Sequence, residues 1–412
     1  MNRLTGVRAI MKDIVETLRS PAAAKFCNLS AGNPLILPEI ESLWAELTRE
    51  ILASKEYGAI ICRYGASQGY EPLLEAIAQD FSKRYQIELS PSNILVTPGS
   101  QSLYFFAANA FAGYDSQKHL RKLLLPLCPD YTGYGGVSIC EEAVYAIKPL
   151  IEDDLARHRF KYHPDLEKLT VDESVGCIVF SRPCNPTGNV LSDQEVASIA
   201  SKAAPSSCPV FVDSAYGPPF PALNFTEMNP LFAPNVVHCM SLSKAGLPGE
   251  RIGVAIGAKE LLEVLECFES NAVIHASRMG QAIVARAIKN GSLVRLSKEV
   301  IRPFYMRKLA LLEEALAAHL PDDLPWRLHQ GEGAIFAWLW FENLPISDQE
   351  LYALFKQAGV ILVPGSPFFP GLRENWQHSH ECLRLSLTAP DQQIVEGVRR
   401  MGDVVRKVYS GA

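Results

Sequence analysis

Cys177-Ile178-Val179-Phe180-Ser181 runs without a break into Arg182-Pro183-Cys184-Asn185-Pro186-Thr187-Gly188-Asn189. The first four residues are apolar without alternation, as in a strand buried on both faces. Ser192-Asp193-Gln194-Glu195 then reads as a capping box that opens a helix, and Val210-Phe211-Val212-Asp213 as the next strand. Strand, loop, helix and strand in this order are the unit of a parallel sheet with crossover helices. Working outward, further strands are predicted at Ile94 to Thr97, Lys122 to Leu127, Ala143 to Ile147, Val236 to Ser241 and Ile252 to Ile256, so an α/β core is expected between about residues 55 and 260. From Leu261 to Ala318 the spacing is helical almost throughout, with Pro303 as a kink or break. Beyond it, Ala334 to Phe341, Val360 to Val363 and Leu383 to Leu387 alternate with helical stretches, the pattern of a smaller α+β unit.

The chain has 412 residues, 48% hydrophobic and 20% charged, which suits two or three compact units with a large buried core. A formal net charge of -6 provides no basic field for a nucleic-acid backbone or an anionic membrane, so a small-molecule partner is expected. The ten cysteines are scattered without a CxxC pair, which fits a reducing cytoplasm. Near the N-terminus, Arg3, Arg8, Lys12, Asp13, Glu16 and Arg19 interrupt apolar residues at helical spacing, unlike a signal peptide. The longest wholly apolar run, Ala334 to Phe341, is far below the ~18 residues of a membrane span. His378 and His380 form an HxH, but a zinc site needs three or four ligands, and no metal is expected there.

Four loops at strand ends carry side chains suited to chemistry. After Thr97 comes Pro98-Gly99-Ser100-Gln101 and then a helical stretch. Free N–H groups at a helix start, with the Ser100 hydroxyl and the Gln101 amide, favour a phosphate. Such a turn is as often no more than a turn, and it is neither a Walker A loop nor GxGxxG. Asn185 offers a fixed amide at the carboxyl edge of the sheet, where ligands of α/β proteins bind; Asn-Pro-Thr-Gly is also simply a turn sequence. Asp213 ends its strand with the phenol of Tyr216 three residues on, and reads equally as the cap of a turn. The fourth loop, Ser241-Leu242-Ser243-Lys244-Ala245-Gly246-Leu247-Pro248-Gly249-Glu250-Arg251, sets a lysine among small residues beside two hydroxyls. Toward an aldehyde cofactor Lys244 would be the amine nucleophile, and the hydroxyls and Arg251 would hold a phosphate. Taken alone, the same loop is a flexible Gly/Pro segment with an exposed lysine.

Together and in this order, the four loops resemble the aminotransferase class I and II family of fold-type I pyridoxal-phosphate enzymes. Phe160 to His163, Ser181 to Val190, Cys239 to Gly249, Gly331 to Phe341 and Val363 to Leu372 resemble its valine–pyruvate branch, so the likeness covers nearly the whole chain. It implies an α/β fold, with a mostly parallel mixed sheet in a large domain at 51–295 and a smaller α+β domain assembled from 1–50 and 296–412. It implies pyridoxal 5'-phosphate, with Lys244 as the lysine that bonds the cofactor aldehyde and then carries the proton at the substrate Cα. Asp213 matches the acid paired with the pyridine nitrogen. Asn185 and Tyr216 match the partners of the ring's phenolic oxygen, and Tyr131 the aromatic stacked on the ring. Ser100, Gln101, Ser241, Ser243 and Arg251 match phosphate contacts. Tyr64 matches a tyrosine that reaches the phosphate of the neighbouring subunit, so a homodimer with shared active sites is implied. Arg384 matches the arginine that grips the substrate α-carboxylate, assisted by Asn185 and by the backbone at Gly32.

The implied activity is a ping-pong exchange of an amino group between aliphatic amino acids (valine, alanine and similar) and 2-oxo acids (pyruvate, 3-methyl-2-oxobutanoate). Arg63, Arg182 or Arg278 could add a second positive charge and admit glutamate and 2-oxoglutarate. Related folds also run C–S lysis, decarboxylation and cyclisation. A regulatory module that merely binds the cofactor is disfavoured, because the stretch before Gly32 is too short for a winged-helix domain.

Overall fold

The structure, a computed structural model, describes residues 6–19 and 23–411, with side chains from Met11 onward in the first segment. The side chains of Arg3 and Arg8 lie outside the described residues. Helices α1 (Gly6–Arg19), α2 (Pro38–Ala53), α3 (Tyr57–Cys62) and α4 (Glu71–Tyr85) come first, followed by α5 (Ser100–Phe111) and α6 (Asp193–Ala203). Then come α7 (Lys259–Ala272), α8 (Arg278–Lys289), α9 (Ser292–Leu296), α10 (Arg302–His319), α11 (Asp348–Gln357) and α12 (Asp391–Ser410). The strands begin with β1 (Cys27–Asn28), β2 (Ile94–Thr97), β3 (Gly113–Tyr114), β4 (Leu120–Leu125), β5 (Val144–Ala146), β6 (Leu150–Asp154), β7 (Arg159–His163) and β8 (Val175–Ser181). They continue as β9 (Val210–Asp213), β10 (Val236–Ser241), β11 (Gly253–Ile256), β12 (Trp326–His329), β13 (Phe336–Phe341), β14 (Val360–Ile361), β15 (Val363–Pro364) and β16 (Cys382–Ser386).

An eight-stranded sheet runs β2-β11-β10-β9-β8-β4-β3, with β5 beside β4. Strands β5, β4, β8, β9 and β10 are parallel, while β11 lies antiparallel between β10 and β2. The parallel strands therefore end on one edge together with β2, and the reversed strand β11 begins there. That edge collects the loops after Thr97, Leu125, Ser181, Asp213 and Ser241, and also receives Arg251 from the approach to β11. The apolar runs of β8 and β9 are buried throughout, in keeping with helices on both faces of a parallel sheet. The capping box before α6 is formed: the Ser192 hydroxyl accepts from the Glu195 N–H at 3.2 Å, and the Glu195 carboxylate accepts from the Ser192 N–H at 2.7 Å.

Pro303 neither breaks nor ends the helical run. A π-helical stretch, Ser297–Ile301, joins α9 to α10, with the Arg302 N–H reaching back to the Ser297 carbonyl, and Pro303 sits in the first turn of α10. A six-stranded second sheet has the order β15-β16-β13-β12-β7-β6. Its hairpin β6–β7 departs from the sequence-based expectation, which has no strands between residues 148 and 174. Arg159–His163 does alternate between buried and half-buried positions, and β7 pairs in parallel with β12, Leu328 opposite Arg159. Residues 150–163 thus share a sheet with strands beyond residue 326. The N-terminal segment joins the same region: β1 pairs with β14, the Leu29 N–H donates to Ile361, and the Ser386 N–H donates to Leu29. No helix among the described residues is long and apolar enough to cross a membrane.

Candidate active site

The loops on the shared sheet edge enclose a cavity of about 180 Å³ whose walls include Ser100, Gln101, Tyr131, Asn185, Asp213, Tyr216, Ser241, Ser243, Lys244 and Arg251. An adjoining cavity of about 430 Å³ shares Tyr131, Asn185, Tyr216 and Lys244 with it and adds Gly32 and Arg384. Register explains the convergence, because Ser181, Asp213 and Cys239 lie side by side on β8, β9 and β10. Gly99, at φ 86°, opens the first turn of α5; a Cβ there would fall 2.3 Å from the Arg251 guanidinium. Only glycine lets this arginine reach the helix start, where backbone donors already favour an anion. Arg251 also donates to the Ser243 hydroxyl at 3.2 Å.

Asp213 is buried, and its two oxygens accept from the Tyr134 hydroxyl and the Ala215 N–H, each at 2.9 Å. Burial raises its pKa, opposed by these hydrogen bonds and by the charge of Lys244. Lys244 lies near the Tyr216 ring and donates to the Gly32 carbonyl at 2.7 Å. Burial, with the charge of Arg384 next, lowers its amine to about 8. Arg384 sits on β16 between Trp338 and Val363, its guanidinium 4.1 Å from the Phe336 ring and 5.0 Å from that of Phe368. It donates to the Asn185 side-chain oxygen at 3.0 Å and to the Ser30 carbonyl at 3.2 Å, and its Nε is buried without a partner. Burial draws its pKa down to about 10, which still leaves it cationic at neutral pH. A buried, incompletely paired guanidinium facing a cavity suits a carboxylate ligand.

Not every residue singled out in the sequence falls on these walls. Tyr64 is 82% exposed, stacked edge-on against His275, and lines neither cavity. Arg182 is buried and fully engaged with the Leu191 and Asn229 carbonyls and the Asp193 carboxylate. Arg278 donates to the Ala59 and Arg63 carbonyls and lies over the Tyr70 ring. Arg63, Arg182 and Arg278 are absent from both linings, where the cations among the described residues are Lys244, Arg251 and Arg384. His378 packs in an aromatic cluster against Tyr162, and burial lowers its pKa to about 3. Other wall residues carry no motif. Tyr104 and Ser181 also line the smaller cavity, and Phe336, Phe368 and a stripe of α1 also line the larger. Tyr134 bonds Asp213 across a separation that no local pattern announces.

The donor set fits a phosphorylated pyridine aldehyde: hydroxyls, an amide and an arginine at a helix start for the phosphate, an amine for the aldehyde, and a buried acid for the ring nitrogen. Residues 150–401 match the profile of the family "Aminotransferase class I and II", and the chain belongs to that family. It is a pyridoxal-phosphate-dependent aminotransferase of fold type I. The valine–pyruvate aminotransferase of Escherichia coli K12 is 36% identical over 408 residues, covering 99% of this chain and 97% of the relative. The crystal structure of valine–pyruvate aminotransferase from Salmonella typhimurium LT2 superposes with a TM-score of 0.89 at 34% identity, over 99% of this chain and 100% of that one. A double mutant of Thermus thermophilus aspartate aminotransferase, 21% identical, shares the fold with a TM-score of 0.79 over 98% of this chain and 97% of that one.

Proposed function

We propose that this chain exchanges amino groups between small aliphatic amino acids, with valine and alanine foremost, and 2-oxo acids such as pyruvate and 3-methyl-2-oxobutanoate. The observation that carries this reading is the buried, incompletely paired guanidinium of Arg384 in the larger cavity. Arg384 provides one anchor for an α-carboxylate, Lys244 lies within the same walls, and among the described residues no further arginine lines this cavity to receive a side-chain carboxylate. The coenzyme supplies the carbonyl that takes up the amino group and the ring that withdraws electrons from the substrate carbon.

Arg384 and Asn185 fix the carboxylate, with the Gly32 backbone beside them. The Lys244 amine, lowered toward neutrality, removes and returns the proton at the substrate Cα. Asp213 would keep the pyridine nitrogen protonated, Asn185 and Tyr216 would bond the phenolic oxygen, and Tyr131 would pack on the ring. Ser100, Gln101, Ser241, Ser243 and Arg251 would hold the phosphate.

The same reading places the enzyme in the cytoplasm, supported by ten free cysteines, and makes it a homodimer. Ile61, Tyr64 and Ile274 are exposed apolar side chains, with Tyr64 against His275, and a second copy covering them would bring Tyr64 to the partner's phosphate site. A donor and acceptor panel on the purified enzyme, with Lys244→Ala as control, tests the assignment. Valine, alanine and pyruvate should outperform glutamate and 2-oxoglutarate, and the control should lose turnover. The reverse preference would refute the substrate class.

A further inference from the structure

Helix α1 carries Met11, Ile14, Val15 and Leu18 at positions i, i+3, i+4 and i+7, a single apolar face. All four line the larger cavity, across from Arg384, Lys244, Phe336 and Phe368. Ile14 is 3% exposed, whereas Met11 and Val15 are 41% and 40% exposed, so part of this face has nothing packed against it. The opposite side of the helix is held by polar contacts. Asp13 accepts from the Lys356 ammonium at 2.6 Å and from the Tyr352 hydroxyl at 2.9 Å, both on α11. Among the described residues this is the ion pair that ties α1 to the rest of the chain.

We propose that α1 is the wall against which the substrate side chain is selected, and that the Asp13–Lys356–Tyr352 clasp sets the distance of that wall. The inference rests on the roles given above to Arg384 and Lys244. With the carboxylate at Arg384 and the reacting Cα beside Lys244, the side chain has to enter the remaining volume, where the described side chains of α1 that line it, Met11, Ile14, Val15 and Leu18, are all apolar. Filling it with branched methyls removes the open faces of Met11 and Val15 from water, and a single methylene in such a pocket changes selection by about tenfold or more. Asp13, Lys356 and Tyr352 touch no substrate; they are positioning residues acting through the helix.

The test uses the coenzyme-loaded enzyme and two readouts. The first is the rate at which valine, and separately alanine, changes the visible absorbance of the coenzyme. The second is hydrogen exchange of the α1 amides with and without 3-methylbutanoate, an unreactive aliphatic carboxylate. Ile14→Ala is expected to lower the valine-to-alanine rate ratio by about fivefold or more. Asp13→Asn and Tyr352→Phe should lower it in the same direction, speed exchange in α1 and weaken 3-methylbutanoate more than acetate. An unchanged ratio in Ile14→Ala overturns the wall. An unchanged ratio and unchanged exchange in both Asp13→Asn and Tyr352→Phe overturn the clasp. If the wild-type enzyme prefers another donor altogether, the substrate assignment falls, and the ratio of that donor to its shorter homologue then decides the role of α1.

Discussion

Lys244 illustrates how a side chain's surroundings prepare it for its reaction. A lysine in water is almost entirely protonated at neutral pH and is a poor nucleophile, but burial and the neighbouring arginines bring this amine to about 8. Reconstitution of the coenzyme-free protein should therefore accelerate with pH and level off above about 8, well short of the range of an ordinary lysine; rapid-mixing absorbance measurements would show the midpoint. Tyr134 acts one contact further out. Replacing it with phenylalanine removes one donor from the buried Asp213 carboxylate, which raises its pKa further and weakens its grip on a protonated ring nitrogen. The coenzyme dissociation constant of Tyr134→Phe should rise about three- to tenfold, the worth of one ordinary hydrogen bond of about 1 kcal/mol. Lys244, Asp213, Asn185 and Arg251 were legible in the sequence because each sits in a short loop at a strand end, where type and spacing are local. Tyr134 was not, because its importance lies in a neighbour on a distant strand. Arg182, legible as a charge, is spent on holding the Asn185 loop to α6.

Within elements, periodicity identifies a face but not what covers it. The α1 stripe and the alternation of Arg159–His163 are both visible in the letters, yet their partners, the cavity and β12, are supplied by remote parts of the chain. The same blindness applies to Glu269 on α7, which looks like an ordinary surface carboxylate of an amphipathic helix. It is buried with neither oxygen paired, near where Phe268 meets Phe106 of α5, and burial pushes its pKa up to about 8. Its folded pKa lies above that of unfolded glutamate. The folded chain therefore takes up a proton, and this contribution to stability, full below the unfolded pKa, is lost as pH rises toward about 8. Glu269→Gln should thus leave stability nearly unchanged at pH 5 and raise it at pH 8, by on the order of 1 to 3 kcal/mol. Melting temperatures of the two proteins measured across that interval would reveal the divergence.

At the scale of the whole molecule, the predicted α/β character agrees with the structure, but sheet membership is not contiguous along the chain, because β6 and β7 join a sheet otherwise built from residues beyond 325. Active-site sharing is a whole-molecule property with a sharp test. If Tyr64 serves the partner's site, Lys244→Ala and Tyr64→Ala chains unfolded together and reassembled at random should place one intact site in each mixed dimer, restoring about a quarter of the wild-type rate. Two self-contained sites would restore nothing beyond the sum of the separate variants. The path of the chain between sheets also has a temporal side. Ribosomes deliver β6 and β7 long before β12, so a nascent chain carries Phe160 and Tyr162 beside an unpaired strand edge until residues 326–329 emerge. Exposed edges of this kind template aggregation. Chains truncated after residue 300 should accordingly precipitate or be held by chaperones, and adding residues through the end of β13 should mark the point during synthesis at which that dependence falls.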